Sequence, residues 1–173
     1  MRRGGSIMKT PARLVAIFVA AQPEELPRSL DKVRAVAGKG LEGDRYAAGI
    51  GTFSNYPGKR DVTLIESEML STYEREMGKR VSAAESRRNL LTQGVRLNHF
   101  VDREFRIGSI RLRGLRLSEP CTHLARLTHP EVLPGLVHRG GLIAEILCDG
   151  VITVGDEISE LPNLADDQLI DKS

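Results

Sequence analysis

The segment EFRIGSIRLRGLRLSE, residues 104–119, constrains the fold more than any other part of the chain. Its apolar residues alternate with charged ones at Ile110, Leu112, Leu115 and Leu117. This spacing is typical of a β-strand with one buried face and one solvated face. Gly108 and Gly114 interrupt the pattern and are predicted to be turn or bulge points.

Several other short segments also indicate strands. The run RLVAIFVA, residues 13–20, is short and β-branched and predicts a buried first strand. Because basic residues precede it, the run also resembles a short signal peptide, an alternative that we consider weaker. Further strands are predicted at 33–37 and 62–65, and a hairpin with a type I′ turn at Asp149-Gly150.

Helical patterns are few. Met69, Leu70, Tyr73 and Met77 recur at helical spacing, which predicts a helix capped near Ser67 and ended by Gly78. Residues 85–95 are short and irregular, and a helical excursion broken by Pro130 and Pro134 follows Cys121. Many short strands with few helices predict a mostly β fold, a barrel or a sandwich.

The composition excludes several classes of function. Twenty-five basic residues nearly balance 23 acidic ones and aromatic residues make up 4%, so we expect no nucleic-acid partner. The apolar run at 14–21 is too short to span a bilayer, so we expect no membrane partner. Two cysteines far apart in sequence give no disulfide framework, which indicates a reduced, cytoplasmic protein.

Basic residues recur in loops beside glycines. They are Lys39 and Arg45 in GKGLEGDR, Arg87 and Arg88 in SRRN, and Arg139 in HRGG. Any one of them alone is best explained as a solvated surface charge. Together they suggest an anion site, because arginine binds phosphate or carboxylate bidentately and glycine lets the backbone approach a ligand. Asn89 would add a neutral amide.

Cys121 has three interpretations from the residues alone. It is a buried filler, a nucleophile with a histidine as base, or a thiolate ligand of a soft metal. The candidate histidines are His123, His129 and His138, and a zinc site made of these and Cys121 matches no standard spacing. The residues leave these alternatives open. Cys148 is predicted to be a core residue.

A family resemblance carried by five blocks of the sequence bears on the three interpretations of Cys121. The blocks are KGLEGDRY, DVTLIESEML, RRNLLTQGVRL, FRIGSIRLRGLRLSEPCTHL and RGGLIAEILCDGVITVGDEI. In this order they resemble the MOSC domain family, found at the C-terminus of molybdenum cofactor sulfurases, in mitochondrial amidoxime-reducing proteins and as stand-alone bacterial proteins. This chain is similar to the stand-alone type, over a domain predicted at 13–161 between a leader (1–12, with Met8 as an alternative start) and a tail (162–173).

The resemblance implies a β-barrel of the pyruvate-kinase barrel-domain type that binds the molybdenum cofactor (molybdopterin). Cys121 is implied to ligate molybdenum or to carry sulfur, and Arg88 and Asn89 to contact the cofactor. Lys39, Arg45 and Arg139 match basic positions near the same cleft.

The resemblance also implies partners. We expect reduction of an N-hydroxylated small-molecule substrate with electrons from a partner reductase, since the chain has no ferredoxin-like cysteines. The alternative is a carrier of sulfur, as a persulfide received from a donor protein, or of the cofactor. A thiol-based hydrolase or a purely structural barrel ranks third. No pyridoxal phosphate is expected, because the corresponding sulfurase domain and a recognisable Schiff-base lysine motif are both missing.

Overall fold

A computed structural model describes residues 10–163, which form two β-sheets, three α-helices and one 3₁₀ helix. The strands are β1 (Arg13–Val19), β2 (Arg28–Leu30), β3 (Lys32–Val36), β4 (Gly40–Leu41), β5 (Val62–Glu66), β6 (Leu90–Gln93), β7 (Glu104–Ile107), β8 (Ile110–Leu117), β9 (Leu142–Ile146), β10 (Gly150–Thr153) and β11 (Ile158–Glu160). The helices are α1 (Ser67–Met77), α2 (Thr122–Leu127) and α3 (Val132–Gly135), with the 3₁₀ helix at Leu97–Phe100. The predicted leader and tail lie largely outside the described residues.

The larger sheet has eight strands in the order β11-β7-β8-β9-β5-β6-β1-β2 and curls into a half-barrel. Neighbouring strands in it are antiparallel except β5 and β6, which are parallel. The smaller sheet has the order β10-β3-β4. The prediction of a mostly β fold is confirmed.

Strand β5 is buried along its whole length because both of its faces are covered. Leu64 packs into the core inside the curled sheet, which also contains Leu14, Phe105 and Leu142. Its neighbour Ile65 points the other way, into a second apolar cluster formed with the three helices. Alternate side chains of β5 therefore pack into two separate cores, and the strand links the two.

Two local predictions are confirmed. Helix α1 spans the predicted residues and ends at Gly78, whose φ of 67° is the left-handed conformation typical of a helix end. No side chain caps its first residue, however, so the cap expected near Ser67 is wrong. In β8 the register against β9 shifts between Gly114 and Arg116, which is the bulge that the alternation predicted.

The predicted hairpin at Asp149-Gly150 is wrong. Strand β9 pairs with β5 and β8, whereas β10 leaves the large sheet and pairs with β3. The Asp149 carboxylate accepts a hydrogen bond from the backbone N–H of Ala37 at 2.8 Å. This bond holds the link between β9 and β10 against the end of β3. A Cβ at Gly150 would lie 2.6 Å from Ile110 Cδ1, so the glycine serves close packing here.

Two further expectations need correction. Residues 85–95, which were expected to be irregular, contain β6, and this strand lies between β5 and β1 in the sheet. The helical excursion after Cys121 is broken before α3, but Pro134 lies within the first turn of α3. Proline is tolerated there because a first-turn N–H has no partner within the helix.

None of the helices within residues 10–163 has the length and hydrophobicity needed to cross a membrane.

The approach of Gly141 to β5 gives a test of this arrangement. A Cβ at Gly141 would lie 1.9 Å from the Leu64 carbonyl oxygen, at a φ of +105°. We expect Gly141→Ala to prevent folding or to lower the free energy of unfolding by more than about 4 kcal/mol, because β9 would have to move away from β5.

Gly155→Ala is the matched control. Gly155 also has a positive φ, of +94°, but nothing lies within 4 Å of its added Cβ. This change should cost only the backbone strain, about 1–2 kcal/mol. Equal losses in the two variants, measured by denaturant unfolding, would contradict the close-packing account.

Candidate functional site

Cys121 lies at the junction between the large sheet and the helices. It precedes α2 in an extended conformation (φ −135°, ψ 166°), and its carbonyl accepts the N–H of Ala125 at 3.0 Å. Its side chain is half-buried and packs against the edge of the helical apolar cluster. It also lines a small cavity of about 40 Å³.

Four arginines share this cavity with Cys121. They are Arg45, Arg60, Arg87 and Arg88, and the other walls are Tyr46, Thr52, Phe53, Thr63, His123 and Leu124. None of these lining residues is an aspartate or a glutamate. The cavity therefore combines a thiol with a strongly positive potential.

Arg88 is held by the backbone alone. Its Nε donates to the carbonyl of Gly140 at 2.8 Å, its Nη2 to Ser118 at 3.1 Å and its Nη1 to Ser86 at 3.2 Å. Burial lowers the pKa of Arg88 to about 10, and the Cys121 side chain opposes that shift. The guanidinium is still charged at neutral pH. Within residues 10–163 it has no carboxylate partner, so its charge is solvated only by carbonyl dipoles.

The other three arginines differ in how well they are neutralised. Arg45 forms an ion pair with buried Asp44 at 3.2 Å. Arg60 stacks on the rings of Tyr46 and Phe53, 5.5 and 5.1 Å from their centres. Burial lowers the pKa of Arg87, and the charge of Arg45 adds to this effect. Among the described residues neither Arg60 nor Arg87 has an ion pair, which leaves three uncompensated charges at the cavity.

His123 has a defined proton position. Its Nδ1 lies 3.0 Å from Arg126 Nη2, which also donates to Glu24 at 2.7 Å. A guanidinium can only donate, so Nδ1 accepts and a neutral ring carries its proton on Nε2. Burial lowers the pKa of His123, as do the charges of Arg126 and Arg87. The ring is therefore neutral at pH 7, with its edge packed against Phe53.

The structure brings together only some of the residues predicted from the sequence. Arg45, Arg88 and Cys121 line one cavity, whereas Asn89 and Arg139 are not among the residues that line it. Arg139 donates to the carbonyl of Gly135 and pairs with Glu76 of α1. Lys39 is exposed and lines an adjoining groove of about 380 Å³, which shares Tyr46, Phe53 and Arg60 with the cavity.

Asn89 is a structural residue at the start of β6. Its side-chain oxygen accepts from the N–H and the hydroxyl of Thr63 at 3.1 Å, and its Nδ2 donates to the carbonyl of Phe18. It thereby joins β1, β5 and β6. Sequence reasoning did not assign a role to Arg60, although the same pattern of a basic residue near a glycine occurs at Gly58-Lys59-Arg60.

The structure also bears on two predictions for the cysteines, a zinc site at Cys121 and a core position for Cys148. Within the described residues no three His, Cys, Asp or Glu side chains form a group that could hold a metal ion. The zinc set of Cys121 and three histidines is therefore not assembled. Cys148 is half-buried rather than a full core residue, and its sulfur accepts the N–H of Arg111 at 3.2 Å.

Comparison with known proteins agrees with this fold. The model of the MOSC domain family matches residues 23–159. No curated protein matches the chain in sequence.

Solved bacterial structures resemble the chain at low identity. The YuaD protein from Bacillus subtilis is 16% identical with a TM-score of 0.73, over 86% of this chain and 94% of that one. YiiM from Geobacillus stearothermophilus is 15% identical with a TM-score of 0.67, over 88% and 76%. YiiM from Escherichia coli is 16% identical with a TM-score of 0.64, over 88% and 71%. At these identities the likeness shows the fold alone.

The structural role of Asn89 gives a test. Asn89→Ala should lower the free energy of unfolding by about 1–3 kcal/mol for each buried group that it leaves without a partner. Asn98→Ala is the control, because Asn98 is exposed and makes one bond to the carbonyl of His138. If Asn89→Ala unfolds at the same denaturant concentration as the wild type, Asn89 is not the link between the three strands.

Proposed function

This chain belongs to the MOSC domain family, and we propose that it binds the molybdenum cofactor at Cys121 and reduces N-hydroxylated compounds with electrons from a partner reductase. The family is associated with molybdenum-cofactor binding in general. The observation that carries the proposal for this chain is the cavity in which Cys121 meets three uncompensated guanidinium groups.

The residues present suit the cofactor in chemistry. A thiolate suits a thiophilic metal, and guanidinium groups suit a phosphate. The cavity of about 40 Å³ is far smaller than the pockets of about 300–1,000 Å³ that hold small organic molecules. The rest of the cofactor therefore needs the adjoining groove, where exposed Lys39 supplies further positive charge, whereas Lys59 is paired with Glu145.

The proposed reaction balances with an external reductant. Two electrons and two protons convert an N–OH group into N–H and water, and the bound metal would supply the two-electron chemistry. The described residues contribute the thiolate that retains the metal and the positive charges that retain the anionic groups. The partner reductase supplies the electrons.

His123 is the residue placed to donate a hydrogen bond to the substrate. Its neutral ring carries the proton on Nε2, while Nδ1 is occupied by Arg126. In the proposed reaction Nε2–H donates a hydrogen bond to the departing oxygen of the substrate. The positive charge of Arg126 disfavours the doubly protonated ring, so the neutral ring acts by this hydrogen bond alone and the two protons of the reaction come from solvent.

A second candidate is a carrier in which Cys121 holds sulfur as a persulfide. The small size of the cavity favours it, because about 40 Å³ has room for one additional sulfur atom but not for a pterin. Intact-mass analysis after incubation with a persulfide donor, whose outer sulfur passes to the Cys121 thiolate while the donor leaves as a thiol, would detect the mass of one added sulfur on Cys121. An assay with an N-hydroxylated base and a reductase would detect the first function and not the second.

The metal-ligand role of Cys121 gives the first test. Protein from a host that makes the cofactor should contain molybdenum and pterin, and Cys121→Ser should lose about tenfold or more of the molybdenum. Cys148→Ser should retain it, since Cys148 is absent from the cavity. Equal metal content in the two variants, or none in the wild type, would contradict the proposal.

The positive charge of Arg60, which lines both the Cys121 cavity and the adjoining groove, gives the second test. Arg60→Gln should weaken cofactor retention about tenfold or more, the loss expected for one charge-assisted hydrogen bond of about 1.5–3 kcal/mol. Its stability should change little, because no ion pair holds Arg60 among the described residues.

Arg103→Gln is the control for Arg60→Gln, since Arg103 pairs with exposed Glu160. It should retain the cofactor fully. Equal cofactor loss on gel filtration of the two variants would mean that overall charge, rather than the cavity, holds the anion.

A further inference from the structure

A second cavity, of about 670 Å³, lies at the other end of β5. Thr63 of β5 lines the Cys121 cavity, whereas Glu66, three residues further on, lines this one. Three residues of a strand span about 10 Å, so the two sites are separate. We call the second cavity the α1 groove, defined by Glu66, Glu68, Met69, Val95, Phe100 and Ile158.

Glu66 is the most deeply buried charged group of the α1 groove. Only 7% of the surface of Glu66 is exposed to solvent. One carboxylate oxygen, Oε1, accepts the backbone N–H of Leu97 at 2.8 Å. Within residues 10–163 nothing donates to the other oxygen, Oε2, and Glu66 forms no ion pair. This oxygen is not enclosed by protein atoms, so a donor or a cation in the groove can reach it.

Glu68, the second residue of α1, makes a similar bond to the backbone, although its side chain is exposed. Its Oε1 accepts the N–H of Gly94 at 2.8 Å, and its Oε2 has only the Ser67 hydroxyl at 3.4 Å. The two glutamates thus fasten the loop before the 3₁₀ helix to the start of α1. Each uses one oxygen for this and leaves the other weakly satisfied.

The remaining charges do not neutralise the groove. Arg96, His99 and Glu160 also line it, and Glu160 is paired with Arg103. Arg96 and His99 favour the charged form of Glu66 at a distance, but burial outweighs them and raises the pKa of Glu66. With Glu160 paired to Arg103, two carboxylates, those of Glu66 and Glu68, face one guanidinium and one imidazole.

The other walls of the groove are apolar. Met69, Val95, Phe100 and Ile158 lie between the charged positions. A volume of about 670 Å³ is within the range of pockets that hold small molecules, about 300–1,000 Å³. The site thus combines a buried anion with an apolar surface.

We propose that the α1 groove binds a small organic cation, an amine or amidinium group on an apolar body, with Glu66 as its counter-ion. The cation would occupy the free oxygen of Glu66, and the apolar body would pack against Phe100 and Ile158. This site is independent of the function proposed for Cys121.

Benzamidine is the probe that tests it, with neutral benzamide as the matched ligand. Calorimetric or NMR titration should show saturable binding of benzamidine to the full-length protein and about tenfold weaker binding of benzamide. Glu66→Gln should weaken benzamidine binding about tenfold or more. This variant keeps a side-chain oxygen for the N–H of Leu97, so it separates the charge from the structural bond.

Two more variants complete the experiment. Cys121→Ser should bind benzamidine like the wild type, which separates this site from the Cys121 cavity. Met69→Trp fills the groove from α1 and should abolish binding even if Glu66→Gln fails to fold. Absence of saturable binding to the wild type, equal binding of benzamide, or unchanged affinity in Met69→Trp would overturn the proposal.

Discussion

The candidate site depends on the hydrogen bonds of one guanidinium group. Arg88 donates to the carbonyls of Ser86, Ser118 and Gly140, which belong to three segments far apart in sequence. Ser118 begins the turn that leads to Cys121, and Gly140 precedes β9. The same interaction therefore positions the thiol and leaves a positive charge beside it. Since only carbonyl oxygens satisfy Arg88 among the described residues, its charge remains available to an anion.

This arrangement explains why the residues of the site are spread along the chain. Strand β5 carries Thr63 into the cavity and Ile65 into the helical cluster, so the sheet and the helices meet at Cys121. The loop between β4 and β5 closes the cavity with Phe53 and adds Arg60. Phe53 and Arg60 of the same loop also line the groove of Lys39. The local geometry is thus set by contacts between distant segments.

The sequence predicts what depends on local patterns. The alternation around Gly114 predicts β8 and its bulge, and the helical spacing from Met69 to Met77 predicts α1. The hairpin at Asp149-Gly150 fails because the turn dipeptide does not reveal that β3 offers a free partner and an N–H for Asp149. Resemblance between sequences indicates Cys121 and Arg88, but not that Asn89 and Arg139 are occupied by structural bonds, since those partners lie elsewhere in the chain.

X-ray absorption at the molybdenum edge of cofactor-loaded protein tests most directly whether Cys121 ligates the metal. We expect one more sulfur ligand at molybdenum in the wild type than in a Cys121→Ser sample reconstituted with excess cofactor. We also expect Cys148→Ser to give the wild-type spectrum. Identical sulfur coordination in the wild type and Cys121→Ser would contradict the claim that this cavity presents Cys121 to the metal.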